Sequence, residues 1–393
     1  MRFFAEKIAS PILGRGFRVV ERACLEVDRG KIRSLESLSL SKWRLVSSKL
    51  KHPCIIPGLI DPHTHLVFAG ERSNEWAERL EGLSYQEIAK RGGGIQSTVR
   101  ATRAADKKEI EKIAKQRLRE ALAFGITTIE IKSGYGLDLD TELKTLKIIQ
   151  ALKKKSKIQI LSTFLGAHAL NKNFKSTSHY VDWLIENLLP KVARLADFQD
   201  VFVEKNYFGV RESIRLLEAG KRWGLKPKVH AHEFGRTGGL KVAAATHAVS
   251  ADHLQFLNSA DIRLMKKKKI IPVVLPGTSF FLGAKKFAPA RAMWDQGLKV
   301  AIASDFNPGT NPSFNAPLMG TLGAIHYGLS LKELLTAQTY HAALALDLKD
   351  RGILAPGFKA DFICLKVPQF ETMYYYYGQN FVDSVFIDGK KVF

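Results

Sequence analysis

The sequence predicts an α/β protein: a (β/α)8 TIM barrel with a small β-sandwich domain built from both termini. Three patterns predict it. The middle of the chain alternates about eight short apolar strand-like runs with segments of helical period between them, which is the rhythm of a closed parallel barrel. Both ends of the chain are β-patterned instead. Histidines and carboxylates recur where the middle strands end, the face on which such barrels carry chemistry.

Taken in order, residues 1 to about 52 form short alternating segments, with strands expected over 17–20 and 23–27 and a turn at Asp28-Arg29-Gly30. A strand over 55–60 opens the barrel. Residues 107–124 are helical, with Ile110, Ile113, Leu118 and Leu122 at roughly helical spacing, and Gly125 ends that helix. Strands are expected at 126–132, 157–164, 198–203, from 228, at 250–254, 271–275 and 300–304. Helices are expected at 140–155, 180–195, 211–223, 240–245, 259–268 and 288–297. The far end returns to strands at 361–365 and 384–387. There Asp388-Gly389 reads as a hairpin turn. The division is therefore 1–54 with 358–393 for the β-domain and 55–357 for the barrel. A doubly wound open sheet is disfavoured because no Gly-x-Gly-x-x-Gly follows an early strand.

The composition narrows the class. The chain has 393 residues, 46% hydrophobic and 25% charged, which suits a large domain with a satellite. No apolar run approaches the roughly 20 residues that cross a bilayer. The first residues lack a signal-peptide pattern, so a cytoplasmic protein without membrane contact is expected. Cys24, Cys54 and Cys364 have no close spacing, which argues against a disulfide framework and a thiolate metal site and favours buried inert thiols. The formal charge of +22 attracts polyanions in principle. The lysines are scattered, however. The runs Lys153-Lys154-Lys155 and Lys266-Lys267-Lys268-Lys269 fall at helix C-termini, where they complement the dipole. No nucleic-acid module is present, so no nucleic-acid partner is expected.

The chemistry centres on Pro57-Gly58-Leu59-Ile60-Asp61-Pro62-His63-Thr64-His65. Residues i and i+2 of an extended segment point to one side, so His63 and His65 can aim two imidazoles at one point. An isolated His-x-His is usually a pair of loop histidines. Here the later strand ends add Lys132-Ser133-Gly134-Tyr135-Gly136, His168, Glu204, His230-Ala231-His232-Glu233, Asp252-His253 and Asp305. His63, His65, His230 and Asp305 together offer three nitrogens and one oxygen to a divalent ion with a position left for water, the donor set of a hydrolytic centre. His232 is a rival to His230. Glu233 and His253 are placed to carry protons or orient a carbonyl. For His168 and Tyr135, substrate contact and a structural hydrogen bond stand equally open.

The first stretch resembles the first-strand signature of the amidohydrolase superfamily. Further stretches are more specific: His63 to Gly70 with Arg72, Gly92-Gly93-Gly94-Ile95, Lys132-Ser133-Gly134-Tyr135-Gly136, Ser250-Ala251-Asp252-His253-Leu254, Leu275-Pro276-Gly277-Thr278, and Ser304-Asp305-Phe306-Asn307-Pro308-Gly309-Thr310. Together they resemble the imidazolone-ring hydrolases of that superfamily, from about residue 55 to 365. The resemblance implies a distorted barrel with a composite β-domain, one zinc or iron ion and a homodimer. It implies hydrolysis of 4-imidazolone-5-propanoate to N-formimidoyl-L-glutamate. By motif it puts the metal on His63, His65, His230 and Asp305, and catalysis on Glu233, His253 and Asp305. It puts substrate contacts on Arg72, Tyr85, Tyr135, His168, Glu233, Asn307, Gly309 and Thr310. Arg72 offers a fork for the propionate carboxylate. Two departures from the family pattern are His232, where an acidic residue is usual, and Val203 before Glu204, where a cysteine is usual. The rival readings are a guanine or cyclic-amidine deaminase on the same fold, and a basic nucleic-acid binder on an inactive barrel.

Overall fold

The structure, a computed structural model, describes residues 1–393 except Arg15, Ser84 and the side chains of Tyr85, Gln86 and Ala89. Strands are numbered along the chain. Seven of them form one sheet from the two ends: β1 (Arg2–Pro11), β2 (Phe17–Asp28), β3 (Lys31–Ser37) and β4 (Lys51–Pro57), then β13 (Phe362–Leu365), β14 (Val382–Ile387) and β15 (Lys390–Lys391). The order is β15-β14-β13-β4-β1-β2-β3, so β4 stands between the N-terminal and C-terminal strands. The segments expected at 17–20 and 23–27 are one strand, and Asp388-Gly389 makes the β14–β15 turn.

The period-2 alternation of these strands gives the sheet two apolar faces. Cys54 and Ile56 of β4 face the barrel, and Ile55 faces a core that the sheet makes for itself with Ala5, Ile8, Leu25, Ile32, Phe362 and Phe386. The sheet curls around that second core. Ile32 N–H donates to Phe358 O at 2.9 Å and Ala360 N–H donates to Gly30 O at 2.9 Å, which brings the β2–β3 turn over the entry to β13. All three cysteines are free and buried.

The other eight strands run parallel in chain order: β5 (Leu59–Asp61), β6 (Ile126–Lys132), β7 (Gln159–Ala167), β8 (Phe198–Val203), β9 (Lys226–Ala231), β10 (Ser250–His253), β11 (Ile271–Val274) and β12 (Ala301–Ile302). Helices such as Lys107–Ala123, Leu139–Lys155, Val210–Arg222 and Ser259–Lys268 cover the outside. Lys153–Lys155 and Lys266–Lys268 occupy last turns, as the dipole argument expects. The segment expected as one helix over 180–195 is broken into Thr177–Trp183, a π-turn at Leu184–Leu188 and Leu189–Val192. Helices at Ala316–Tyr327, Leu331–Ala337 and Tyr340–Ala345 were outside the sequence-based expectation.

Two features place the first strand. Gly58 alone separates β4 from β5, so the chain passes from the terminal sheet into the barrel within one residue. A Cβ at Gly58 would stand 2.3 Å from Thr127 Oγ1, so only glycine fits there. At the other end of β5 the barrel shuts against the segment after β12. His65 N–H donates to Phe306 O at 2.8 Å, and Asp305 N–H donates to His63 O at 3.0 Å. The Asp61 carboxylate accepts from Ser304 N–H at 3.0 Å and from its hydroxyl at 2.5 Å. Asp61→Ala would leave that buried N–H without an acceptor. The expected loss is about 1–3 kcal/mol of stability, read as a lower urea midpoint.

Candidate metal centre

Each group of the centre sits where a strand ends or just beyond it. The seam described above sets the first three. His63 Nε2 lies 3.3 Å from His65 Nε2, and Asp305 Oδ1 lies 3.4 Å from the first and 3.5 Å from the second. Three donors held at about 2.0 Å by one tetrahedral ion stand about 3.3 Å apart, so this triad has the spacing of a ligand set. Nitrogens of His63, His230 and His253 likewise lie within 4.8 Å of one another. All five side chains are buried. His230 Nε2 has no hydrogen-bond partner, an orphaned buried atom that an ion would satisfy.

The protonation states suit ligation. Burial, reinforced by Lys132 and neighbouring imidazoles, holds His63 well below its usual value; burial does the same for His65 and His253. Neutral imidazole is the form that binds metals. Burial pushes the Asp305 carboxyl up to about 7, partly offset by the hydrogen bond from Thr278 Oγ1 to its Oδ2 at 2.7 Å. Burial, with the like charges of Asp305 and Glu204, pushes Glu233 well above the carboxylate range. Glu233 Oε2 stands 3.6 Å from His253 Nε2.

His232 is buried, and both of its ring nitrogens lack a partner, yet it joins no convergent group among the described residues. Its backbone is left-handed, with φ of 59°, which turns its side chain out of register with His230. Asp305 and His253 share this conformation, at 55° and 77°. Non-glycine residues held there are strained, and such strain gathers at functional sites.

Around the triad, the His168 ring stacks on His65, with centroids 5.0 Å apart and planes at 16°, and its Nδ1 is 3.1 Å from Gly134 O. Tyr135 packs 5.7 Å from His65 and 5.3 Å from His168. Arg72 is buried at the rim; its Nε donates to Glu75 Oε2 at 2.8 Å, and Glu75 in turn accepts from Gly94 N–H at 3.1 Å. Its guanidinium lies over Gly309, where a Cβ would meet Nη1 at 2.1 Å. Asn307 is bound within its own loop: its amide donates to Thr310 Oγ1 and accepts from the N–H groups of Gly309 and Thr310. The Tyr85 side chain lies outside the described residues, though its backbone opens the helix Tyr85–Lys90.

Several supporting residues escaped the reading of strand ends. Glu142, fully buried, accepts from the N–H groups of Gly134, Gly136 and Leu137 at 3.2, 2.8 and 3.0 Å, shaping the loop that carries Tyr135. Arg117 donates to Leu66 O and Phe68 O, both at 2.8 Å, and lies 3.6 Å over the Phe68 ring. It thereby braces the loop between His65 and Arg72. Inside the barrel, Asp252 Oδ2 is 2.6 Å from His63 Nδ1. The residues that build this inner layer, Glu130, Lys132, Asp200, Lys228 and Asp252, lie on the inward-facing half of their strands.

Comparison with known proteins agrees with this geometry. A model of the amidohydrolase family matches residues 54–392. An imidazolonepropionase of Brevibacillus brevis is 47% identical over 342 residues, 86% of this chain and 80% of the relative. One of Geobacillus kaustophilus is 44% identical over 357 residues, 90% of this chain and 84% of the relative. Among solved structures, 5-methylcytosine deaminase of Klebsiella pneumoniae superposes with a TM-score of 0.77 at 18% identity, covering 98% of this chain and 97% of that one. An adenosine deaminase of Xanthomonas campestris with bound zinc gives 0.75 at 18%, covering 99% and 92%. At such identities these structures speak for the fold alone.

The two imidazoles of β9 are separable by experiment. His230→Ala is expected to lose bound metal, measured by elemental analysis of the purified protein, and His232→Asp to retain it. The opposite pattern would assign the ligand to His232.

Proposed function

The chain belongs to the amidohydrolase family and, within it, to the imidazolonepropionases, and from that premise we propose that it opens the ring of 4-imidazolone-5-propanoate by hydrolysis to give N-formimidoyl-L-glutamate. The observation that carries this reading is the convergence of neutral imidazole nitrogens and the Asp305 carboxylate at ligand spacing. It is joined by identity above 40% to relatives of that name over most of the chain.

His63, His65, His230 and Asp305 would hold one divalent ion, zinc or iron. Bound there, such an ion would acidify a water and polarise a carbonyl. The remaining steps belong to the chain. The water oxygen adds to the ring carbonyl carbon, and its proton passes to Asp305. Glu233, kept neutral by burial, donates a hydrogen bond toward the carbonyl side of the substrate, with His253 beside it. The C–N bond then breaks, and the departing nitrogen takes the proton from Asp305. His168, held neutral at a value near 3, and Tyr135 present uncharged donors to the ring. Arg72, braced by Glu75 and seated over Gly309, pairs with the propionate carboxylate; Asn307 and Thr310 shape the loop beneath it.

We further propose that the enzyme works in the cytoplasm as a homodimer on this small molecule, with no nucleic-acid partner. Among the described residues, no helix is long and apolar enough to cross a membrane.

Chelation is expected to abolish turnover of imidazolone propionate, and zinc or ferrous iron to restore it; full activity in verified metal-free protein would overturn the reading. Turnover of guanine in place of the imidazolone would favour the deaminase alternative. Arg72→Lys, which cannot copy a bidentate fork, should lower kcat/KM about tenfold to a hundredfold with metal content unchanged. Gly309→Ala, which displaces the guanidinium, should shift kcat/KM in the same direction. The deficit should shrink on an analogue whose carboxylate is a neutral amide, and an equal loss on both substrates would remove Arg72 from that role.

A further inference from the structure

A barrel of this kind is ordinarily filled by branched aliphatic side chains. Here the middle layer is charged. Glu130 and Lys132 of β6, Asp200 of β8, Lys228 of β9 and Asp252 of β10 are all fully buried and face inward. Lys132 Nζ lies 3.0 Å from Glu130, 2.8 Å from Asp200 Oδ2 and 3.7 Å from Asp252 Oδ2. Lys228 Nζ donates to Glu130 Oε2 and to Pro62 O, both at 2.9 Å, and stands 4.0 Å from Asp252 Oδ2. The Thr163 hydroxyl of β7 donates to the other Glu130 oxygen.

Stability alone does not explain such a layer. Desolvating ions is expensive, and well-packed apolar residues of the same volume generally hold a core as well or better. The layer is instead aimed at the histidines directly above it. Asp252 Oδ2 takes His63 Nδ1 at 2.6 Å, so that Nε2 faces the triad. Asp200 Oδ1 accepts from the His230 backbone N–H at 3.2 Å, and its Oδ2 stands 2.9 Å from His230 Nδ1. That ring contact is poorly angled for a hydrogen bond, but it sets the carboxylate's negative charge beside the ring nitrogen. Lys228 grips the carbonyl of Pro62, the residue before His63. Three carboxylates against two ammoniums leave one negative charge in the layer, just below the point where a cation would sit.

We propose that this layer is the orienting and charge-balancing base of the metal centre, with Lys132 as its hub. Lys132 is a positioning residue: it touches neither ion nor substrate, and it couples His63 to His230 by holding Asp252 and Asp200 together. The proposal rests on the metal-binding reading of the pocket and goes beyond it by assigning residues that set how tightly the ion is held.

The test is the zinc dissociation constant, measured by competition with a chromophoric chelator, in the full-length protein and its variants. Asp252→Asn and Asp200→Asn keep side-chain volume and should each weaken zinc binding about tenfold to a hundredfold. Lys132→Met should do the same, and Lys132→Met combined with Asp252→Asn should lose less than the product of the two single effects, because both act through one linkage. Circular dichroism and melting of the metal-free proteins report folding separately. Lowered melting temperature with unchanged zinc affinity would mean a structural role only and would overturn the proposal. So would fully multiplicative losses in the double variant. Should Lys132→Met fail to fold, unchanged affinity in both asparagine variants suffices to reject the idea. A wild-type protein that binds no zinc or iron would instead remove the metal-binding reading itself.

Discussion

The seam between β5 and β12 carries everything else. Two backbone hydrogen bonds, His65 to Phe306 and Asp305 to His63, both shut the barrel and bring the first-strand imidazoles within 3.3–3.5 Å of one another and of the carboxylate. The spacing of the triad is thus a property of strand pairing, which side-chain packing alone rarely holds to a few tenths of an ångström. Asp61 bolts the same seam from below through Ser304. Backbone strain at Asp305 and His253, of the order of 1–3 kcal/mol each, persists because the surrounding pairing leaves the chain no alternative.

Charge is arranged in levels above and below this seam. Buried lysines and carboxylates fill the middle of the barrel, imidazoles lie on top of them, and the rim carries Arg72, braced by Glu75. A cation entering from above meets lone pairs first and net negative charge next. At the rim, Arg72 is fixed by Glu75 and by the close approach of Gly309.

Much of this was legible in the chain. Strand-end histidines at 63, 65, 230 and 253 and the carboxylate at 305 stood out because polar residues at the ends of apolar runs have few packing explanations, and the structure brings these five together. The local pattern did not resolve His230 from His232; what separates their surroundings is the left-handed turn at residue 232, a backbone feature that residue identity alone does not announce. The charged layer was hidden for another reason. Glu130 and Lys132 read as the polar half of an alternating strand, and only barrel closure reveals that this half points into the protein. The helix expected over 180–195 carries Pro190, which lacks the N–H that a continuous helix needs, and the chain meets it with the π-turn at Leu184–Leu188 and a new start at Leu189–Val192. The helices after residue 315 went unread because Ala316–Tyr327 is apolar on nearly every side, as suits a buried helix without a polar face.

The position of β4 has a consequence for how the chain is made. Its partner on one side is β1, available at once; its partner on the other is β13, where Phe362 pairs with Pro57. During synthesis the N-terminal strands therefore leave the ribosome with one sheet edge open, and they wait for almost the whole barrel to follow before that edge is covered. Unpaired edges of this sort recruit other strands. Lys51 and His52 lie at the start of β4 and Lys7 lies beside it on β1.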